Sequence, residues 1–218
     1  YARDTSRKIK SVFKAKGMTG KHLTGTVLYG YLWDEKRENW LVDEEAAAVV
    51  QRIFAMTLEG YGPYQIATRL AADKIEIPAV HLARHGEGVN KNKVFNDIYR
   101  WSTSTVVEIL KKREYLGHTI NFKTRKHFKD KKSHYVDENE WTIFENTHDA
   151  IIDQETFDNV QRIRGNSRRY PDGYGEAAPL TGLLYCADCG GKMYVHRTNN
   201  GKRISQYTCG QYSKTPVG

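Results

Sequence analysis

Three cysteines close to the C-terminus are the residues of this 218-residue chain that are best suited to chemistry. Cys186 and Cys189 form a C-x-x-C pair followed directly by two glycines, which let backbone N–H groups turn toward the thiolates. Cys209 follows this pair at a distance typical of the second half of a zinc site. Because structural zinc takes four ligands in a tetrahedron, the pattern predicts a zinc ribbon that is one ligand short.

Three origins of the fourth ligand remain open. It could be a residue beyond Gly218 or His196 within the ribbon, or the site could be incomplete and bind metal weakly or not at all. Strands are expected at Met193 to Arg197 and Arg203 to Thr208, joined by an Asn-Asn-Gly turn. We therefore predict a small zinc β-ribbon domain over residues 180–218, with three incidental thiols as the alternative. Cysteines clustered for metal favour a reducing, cytoplasmic location.

The stretch WSTSTVVEILKKREYLG, residues 101–117, is the second candidate for function. Ser102 and Thr103 are suited to cap a helix, and Thr105 can cover a further backbone N–H. Apolar residues follow at helical spacing, and three cations in the last turn suit the helix dipole. These are Val106, Val107, Ile109 and Leu110, then Lys111, Lys112 and Arg113. A hydroxyl-rich start, a basic end and one apolar side are typical of a DNA recognition helix, although an ordinary surface helix has the same pattern.

The charge of the chain indicates an anionic partner. Its formal net charge is +8 and its pI is about 9.3, which favour a nucleic acid or an acidic surface. Residues 1–22 place Arg3, Arg7 and Lys10 at helical spacing beside Lys8, so we expect either the end of a phosphate-facing helix or a solvated arm. Residues 118–145 are typical of a β-hairpin whose basic tip can follow phosphates, or of a solvated loop. The tip contains Lys123, Arg125, Lys126, Lys129, Lys131 and Lys132.

Two elements precede the central stretch and supply core. Residues 23–42 alternate and turn, which predicts a hairpin with Val27, Tyr29 and Tyr31 on one face. Asp43 is placed to cap a helix that Gly60 ends. The inward residues of this helix are expected to be Ala46, Val49, Val50, Ile53, Phe54 and Leu58.

Further helices and a linker complete the organisation. Pro63 to Asp73 predicts a helix that can pair with the central stretch in the manner of a helix-turn-helix, although the loop between them, residues 74–100, is unusually long. Asp153 to Arg164 predicts another capped helix, with Phe157, Val160 and Ile163 inward. Residues 166–179, rich in glycine, proline, serine and arginine, are expected to form an interdomain linker.

Signals for other functions are weak. His81 and His85 have the spacing of helical metal ligands, but Pro78 and Gly86 argue against a helix there. Serine hydroxyls in the central stretch have no neighbouring base, and there is no phosphate-binding glycine loop. No apolar run is long enough to cross a membrane, and no signal peptide opens the chain. Because the first residue is Tyr1 rather than methionine, we expect a piece of a longer protein.

Taken in order, the motifs resemble those of the large serine recombinases, the integrases and transposases of phages and conjugative elements. The resemblance covers essentially the whole chain. It rests on six motifs taken in chain order. They are DTSRK (residues 4–8), YGY (29–31), VVQRIF with GYGPYQIATRL (49–54 and 60–70), WSTSTV with ILK and YLG (101–106, 109–111 and 115–117), IIDQETF with VQ (151–157 and 160–161) and LTGLLYCADCGGKM (180–193). The chain departs from the family pattern at Leu28, where proline usually precedes YGY, and in the missing fourth cysteine.

The resemblance implies an α+β fold and a DNA-binding function. A helical, winged or helix-turn-helix-like recombinase domain with a basic β-hairpin would occupy residues 23–165, ahead of the zinc ribbon. Residues 1–22 would end a long helix from a separate catalytic domain that holds the serine nucleophile, so no catalytic residue is assigned here. The chain would select double-stranded DNA attachment sites of a phage or other mobile element, with structural Zn²⁺. The parent would act as a dimer on each site and as a tetramer in synapsis.

The resemblance also implies which residues contact DNA. The major groove would face Ser102, Thr103, Ser104, Thr105 and Glu108, and the DNA backbone would be followed by Arg3, Arg7, Lys8 and Lys10. Arg168 and Arg169 would cross a narrow, A·T-rich minor groove. A non-catalytic transcription regulator with a helix-turn-helix and a zinc ribbon is the alternative function. An RNA-binding zinc protein is disfavoured because no aromatic stacking platform is evident.

Overall fold

The computed structural model describes residues 2–126, 129–165, 180, 183–198 and 204–214. They form two compact units, a first unit of Tyr1–Gln161 and a second unit of Arg162–Gly218. Helices and short antiparallel strands are mixed, which confirms the predicted α+β class. The predicted linker, residues 166–179, lies outside the described residues.

Helix α1 spans Ala2–Gly17, which confirms the predicted basic helix at the start of the chain. Its C-terminal end is held by the first unit through Asn121, whose side-chain amide donates to the carbonyls of Gly17 and Lys21, each at 3.0 Å. The bond to Gly17 satisfies a carbonyl at the end of α1, and the bond to Lys21 holds the turn that follows the helix. The end of α1 is therefore fixed to the hairpin that contains Asn121.

A short hairpin and two helices follow. Strands β1 (Tyr31–Trp33) and β2 (Trp40–Val42) pair antiparallel, and the predicted face of Val27, Tyr29 and Tyr31 is buried. Helix α2 spans Glu44–Leu58 and α3 spans Pro63–Ala72. The cap predicted at Asp43 is confirmed, because its side chain accepts a hydrogen bond from the backbone N–H of Ala46.

One inward residue of α2 was predicted wrongly. Leu58 is 43% exposed, whereas its neighbour Thr57 is buried and donates its hydroxyl to the carbonyl of Ile53 at 2.9 Å. Each helical residue turns by about 100°, so the core-facing line that passes through Ile53 reaches position 57 rather than 58.

The loop predicted at residues 74–100 contains a helix, α4, at Pro78–Arg84. The argument that Pro78 prevents a helix was wrong, because Pro78 occupies the first turn of α4, where its missing N–H and fixed φ favour helix entry. His85 forms the C-terminal cap, and Gly86 then leaves the helix with a φ of +71°. The helix-turn-helix pair is thus separated by a third helix.

The central helix α5 spans Thr103–Lys111, and Ser102 caps it by accepting from the backbone N–H of Thr105 at 3.1 Å. The helix is shorter than predicted, because Lys112 is its C-terminal cap and Arg113–Leu116 form a 3-10 helix. Of the expected last-turn cations, only Lys111 lies in α5 itself. The buried side of α5 packs on α3, and the Trp101 indole donates to the Ile75 carbonyl at 2.9 Å.

The basic β-hairpin is confirmed in two paired sections. Strand β3 (Thr119–Asn121) pairs with β6 (Thr142–Phe144) at the base, and β4 (Thr124–Arg125) pairs with β5 (His134–Tyr135) nearer the tip. A 3-10 helix at Glu138–Glu140 precedes β6. The hairpin base is tied to the core, whereas the strands nearer the tip are exposed.

Helix α6 spans Gln154–Gly165, and the Asp153 carboxylate accepts from the backbone N–H of Thr156 at 2.8 Å, as the predicted cap requires. Phe157 and Val160 are buried as expected, but Ile163 is 39% exposed, contrary to the prediction. Val160 is the last residue of α6 in the buried core, so Ile163, about one turn further along, extends past the side chains on which Phe157 packs.

The second unit contains the predicted two-stranded ribbon. Strand β7 (Met193–Thr198) pairs antiparallel with β8 (Ile204–Cys209), within one residue of the predicted limits, and helix α7 (Gly210–Lys214) follows. The turn between the strands lies outside the described residues. Among the described residues, no helix has the length and apolar character needed to cross a membrane.

Buried His22 and half-buried His148 join the aromatic core of the first unit. His22 is only 7% exposed, and its ring stacks on Trp40 with a centroid distance of 4.0 Å. The ring of His148 lies 5.6 Å away. Burial, followed by the charge of His148, lowers the pKa of His22 from 6.5 to about 4, and burial also lowers the pKa of His148.

We expect the first unit to lose stability as the pH falls from about 6.5 toward 4. The unfolded chain binds a proton at each histidine below its ordinary pKa, whereas folded His22 stays neutral to about pH 4. The contribution of these histidines to the free energy of unfolding is therefore fully present above pH 6.5. As the pH falls through this window, the free energy of unfolding decreases by at most about 1.4 kcal/mol per pH unit for each histidine. Urea unfolding followed by tryptophan fluorescence measures this unit alone, because Trp33, Trp40, Trp101 and Trp141 all lie within it.

The control separates titration from packing. His22→Gln is expected to make the pH dependence shallower, whatever it does to stability at neutral pH. His134→Gln changes an exposed histidine of β5 and is expected to keep the wild-type slope. An unchanged slope in His22→Gln would show that this histidine is not the source of the acid sensitivity.

Candidate metal centre and nucleic-acid interface

The fold brings the three cysteines together. Ligand atoms of Cys186, Cys189 and Cys209 all lie within 4.8 Å of one another, and the Sγ atoms of Cys189 and Cys209 are 3.4 Å apart. The C-x-x-C turn is closed by two backbone bonds, from the N–H of Cys186 to the Gly191 carbonyl at 2.8 Å and from the N–H of Gly190 to the Cys186 carbonyl at 2.9 Å. Cys209 is the last residue of strand β8 and lies beside this turn.

Backbone N–H groups lower the pKa values of the cysteine thiols to different extents. The N–H groups of Tyr212 and Gln211, at the start of α7, hold the pKa of Cys209 below its usual value. The Gly191 N–H acts in the same sense on Cys189, but hydrogen bonds shared with Cys209 and Cys186 raise the pKa of Cys189 overall. Three convergent sulfur donors with N–H groups directed at them are suited to a soft divalent metal in a structural site.

The side chain of His196 lies outside the described residues. Among the side chains that the structure describes, no further cysteine, histidine or carboxylate offers an atom within 4.8 Å of all three cysteines. In the ladder, Cys209 pairs with Met193, whereas His196 pairs with Gln206 three rungs away. At about 3.3 Å per residue, the backbone of position 196 lies about 10 Å along the ribbon from that of Cys209.

Helix α5 presents one continuous polar stripe to solvent. Thr103, Ser104, Glu108 and Lys111 are exposed along it, while the opposite side of the helix is buried. The Ser102 hydroxyl lies 2.9 Å from that of Ser104 and 2.8 Å from that of Thr105, so these hydroxyls form one network at the helix start. Glu108 and Lys111 form an ion pair at 3.1 Å. The capping role predicted for Ser102 is therefore combined with an exposed face for contacts.

The predicted basic residues fall into two groups. Arg7, Lys8 and Lys10 are exposed on α1, and Lys126 is exposed near the hairpin tip. Others pair with carboxylates, which the sequence pattern did not indicate. The pairs are Lys123 with Glu114, Arg125 with Glu140 at 2.6 Å, and Arg113 with Glu138 at 3.9 Å. Pairing neutralises part of the charge that these cations could offer to a nucleic acid.

Not every predicted contact can be placed. The side chain of Arg3 and all of Arg168 and Arg169 lie outside the described residues. Lys112 is half-buried at the end of α5.

A groove at the start of α5 was missed by the sequence analysis. It has a volume of about 690 Å³ and is bordered by Tyr64 and Thr68 of α3 and by Arg100, Ser102 and Thr103. The one indication of this groove in the sequence was the cation Arg100, which lies just before the residues that cap the helix. The groove extends the exposed face of α5 onto α3.

Two family models match the chain over these same regions. One, described as Recombinase, matches residues 44–166, which is more than half of the chain. The chain belongs to the recombinase family. The second model, described as the recombinase zinc beta ribbon domain, matches residues 179–216 and so includes all three cysteines. The resemblance and the ribbon predicted from the sequence are thereby confirmed.

Two solved structures are similar to this recombinase chain. A chain in the crystal structure of an LSR–DNA complex is 19% identical, and the match covers 97% of this chain and 56% of that one, with a TM-score of 0.48. A chain from a structure on the sequence requirements of the Listeria innocua prophage attP site is also 19% identical, with coverage of 99% and 76% and a TM-score of 0.49. The recombinase chain thus spans about half the length of the first relative.

Proposed function

We propose that this recombinase chain binds double-stranded DNA at the attachment sites of a mobile element and supplies target selection. The exposed stripe of α5 would lie in the major groove. No catalytic role is assigned to Ser102 or Ser104, because their hydroxyls bond to each other within the cap of α5. Strand cleavage, dimerisation on each site and tetrameric synapsis would belong to a longer parent recombinase.

The observation that carries the proposal is the stripe of α5 on a strongly basic chain. Side chains that can donate or accept at base edges lie along one exposed line, and α3 packs against the opposite side. A helix supported in this way can enter a major groove with its polar face toward the bases. The net charge of +8 supplies the attraction to phosphates.

The basic residues would divide the phosphate contacts between α1 and the hairpin. Arg7, Lys8 and Lys10 would follow the DNA backbone from α1, and Lys126 from the hairpin tip. Lys123 is half-buried against Glu114, so we assign it mainly to holding the hairpin on the 3-10 helix after α5. The hairpin would then contact DNA from a fixed position.

We further propose that the cysteine cluster holds structural Zn²⁺. Three thiolate donors suit zinc, and the position of His196 in the ladder makes it a poor fourth ligand. Bound zinc would lock the C-x-x-C turn to β8 and so fix the ribbon, without chemical steps of its own.

The test begins by selecting a preferred duplex from a random pool with the complete 218-residue chain. Binding of the selected and a scrambled duplex is then titrated over a range of salt. Ser104→Ala and Glu108→Ala are each expected to reduce the preference for the selected duplex by about 5- to 100-fold, as for loss of one base contact. Arg7→Ala is expected to weaken both duplexes equally and to lower the salt slope by about one.

The matched control is Glu155→Ala, which removes an exposed carboxylate from the first turn of another helix, α6. It is expected to leave both affinity and preference unchanged. Equal binding of selected and scrambled duplexes by the wild-type chain, driven only by salt, would leave a basic protein without site selection and would refute the proposal.

A further inference from the structure

We infer that Asp43, His81 and His85 form a second metal site, for a divalent transition-metal ion, that joins α4 to the start of α2. One ligand atom from each residue lies within 4.8 Å of the other two. All three belong to the first unit, whereas the cysteine cluster belongs to the second. The inference is therefore independent of the proposed function and of the zinc site.

Two of the ligands are already in contact and firmly placed. His81 Nε2 lies 2.6 Å from Asp43 Oδ2, and these residues are only 2% and 8% exposed. The other carboxylate oxygen of Asp43 accepts the Ala46 N–H and so belongs to the cap of α2. Helix capping thus orients the carboxylate, as outer hydrogen bonds orient metal ligands elsewhere.

His85 completes the set and provides access. It follows His81 by one helical turn, and the two rings lie 5.0 Å apart. Its side chain is exposed, so an ion can enter from solvent. Zinc-type ions hold nitrogen and oxygen ligands at about 2.0–2.2 Å, so an ion between His81 Nε2 and Asp43 requires this pair to open by only about 1 Å, and the proton that leaves Nε2 moves to Nδ1 of the same ring.

The surrounding charges favour a cation. Arg84 lies among the charges of Asp43, Glu45 and Glu76, and pairs with Glu45 at 2.8 Å and Glu76 at 3.8 Å. The Oε2 atom of Glu76 that faces Arg84 is buried and accepts no hydrogen bond from the described residues, although Glu76 itself is only half-buried. Arg84 donates to His81 Nδ1 at 3.0 Å, so in the metal-free chain Nε2 carries the proton that faces the Asp43 carboxylate. When an ion takes Nε2, that proton moves to Nδ1, and Arg84 gives up this bond but keeps its two glutamate partners. Three carboxylates around one guanidinium leave negative charge that a divalent ion would balance.

The ion would be structural. Helix α4 leads through Gly86 into the segment before α5, and the site would tie its last turn to α2. Imidazole ligands suit Ni²⁺ as well as Zn²⁺, whereas thiolates favour Zn²⁺, so Ni²⁺ is the more selective probe for this site.

The experiment adds Ni²⁺ to the complete chain in which all three cysteines are replaced by serine. Binding is measured by calorimetry, and thermal unfolding of the first unit is followed by tryptophan fluorescence. We expect one equivalent of Ni²⁺ and an increase in the melting temperature of several degrees at saturating metal, because the ion binds only the folded unit. His85→Asn, at an exposed position, is expected to weaken Ni²⁺ binding at least tenfold and to abolish the shift.

His134→Asn is the matched control, because it removes an exposed histidine of β5 and is expected to bind Ni²⁺ as the parent does. Asp43→Asn keeps a cap-forming side chain and is expected to weaken binding as His85→Asn does. The inference is overturned if the cysteine-free chain binds no Ni²⁺, or if His85→Asn binds it as tightly as the parent.

Discussion

Gly117→Ala is expected to destabilise the first unit by about 3 kcal/mol or more, from two additive causes. Gly117 has a φ of +83°, a conformation that costs an L-residue about 1–2 kcal/mol. A Cβ there would also lie 2.5 Å from the backbone carbonyl oxygen of His148, and crowding of this kind typically costs a further 1–3 kcal/mol. The carbonyl of Gly117 accepts the N–H of Thr147, so the backbone cannot move away without losing that bond.

Urea unfolding followed by tryptophan fluorescence measures the effect, and Gly60→Ala is the matched control. Gly60 has a φ of +95° but nothing lies within 4 Å of its would-be Cβ, so it carries the conformational cost without the clash. We expect a loss of about 1–2 kcal/mol there. Equal losses of unfolding free energy in Gly117→Ala and Gly60→Ala would show that the close approach of the His148 carbonyl does not contribute to the destabilisation.

Cys209→Ser is expected to reduce zinc affinity by at least about 100-fold. Cys209 is the one cysteine delivered by β8, so its loss leaves a two-thiolate turn with no link to the ribbon. Because binding of structural zinc supplies much of the folding free energy of such a domain, the ribbon is expected to lose its fold together with the metal. Competition against a chelator of known affinity measures the change.

Two further variants make this result specific. Thr208→Ala, one residue earlier in β8, keeps all three thiols and is expected to bind zinc as the wild type does. His196→Gln is expected to do the same, since position 196 lies three rungs from Cys209 in the ladder. A loss of zinc in His196→Gln comparable to that in Cys209→Ser would make His196 the fourth ligand and contradict our interpretation.

The sequence predicted those features that depend on neighbouring residues. The caps at Asp43, Ser102 and Asp153 are confirmed because a short side chain reaches a backbone N–H three residues further along. The ribbon strands agree within one residue, since an Asn-Asn-Gly turn between alternating strands is a local signal. The C-x-x-C turn and its distance to Cys209 likewise predicted the cluster that the fold assembles.

Where the core ends could not be determined from periodicity. The apolar spacing of α2 and α6 predicted the correct buried sides but continued them to Leu58 and Ile163, which are exposed. Periodicity shows which way a side chain points, whereas burial depends on what lies opposite it. Helix α4 was missed because Pro78 was interpreted as a helix breaker, although proline favours the first helical turn.

The tertiary structure alone decided which charges meet. No pattern in the sequence indicated that His81 would reach Asp43, or that Lys123 would pair with Glu114. Such pairs join residues from different elements, and their energies change steeply with distances that only packing fixes. The amino-acid sequence by itself thus determined the family, the local elements and the cysteine cluster. The tertiary structure decided which cations remain exposed for a nucleic acid and which histidines could hold a metal.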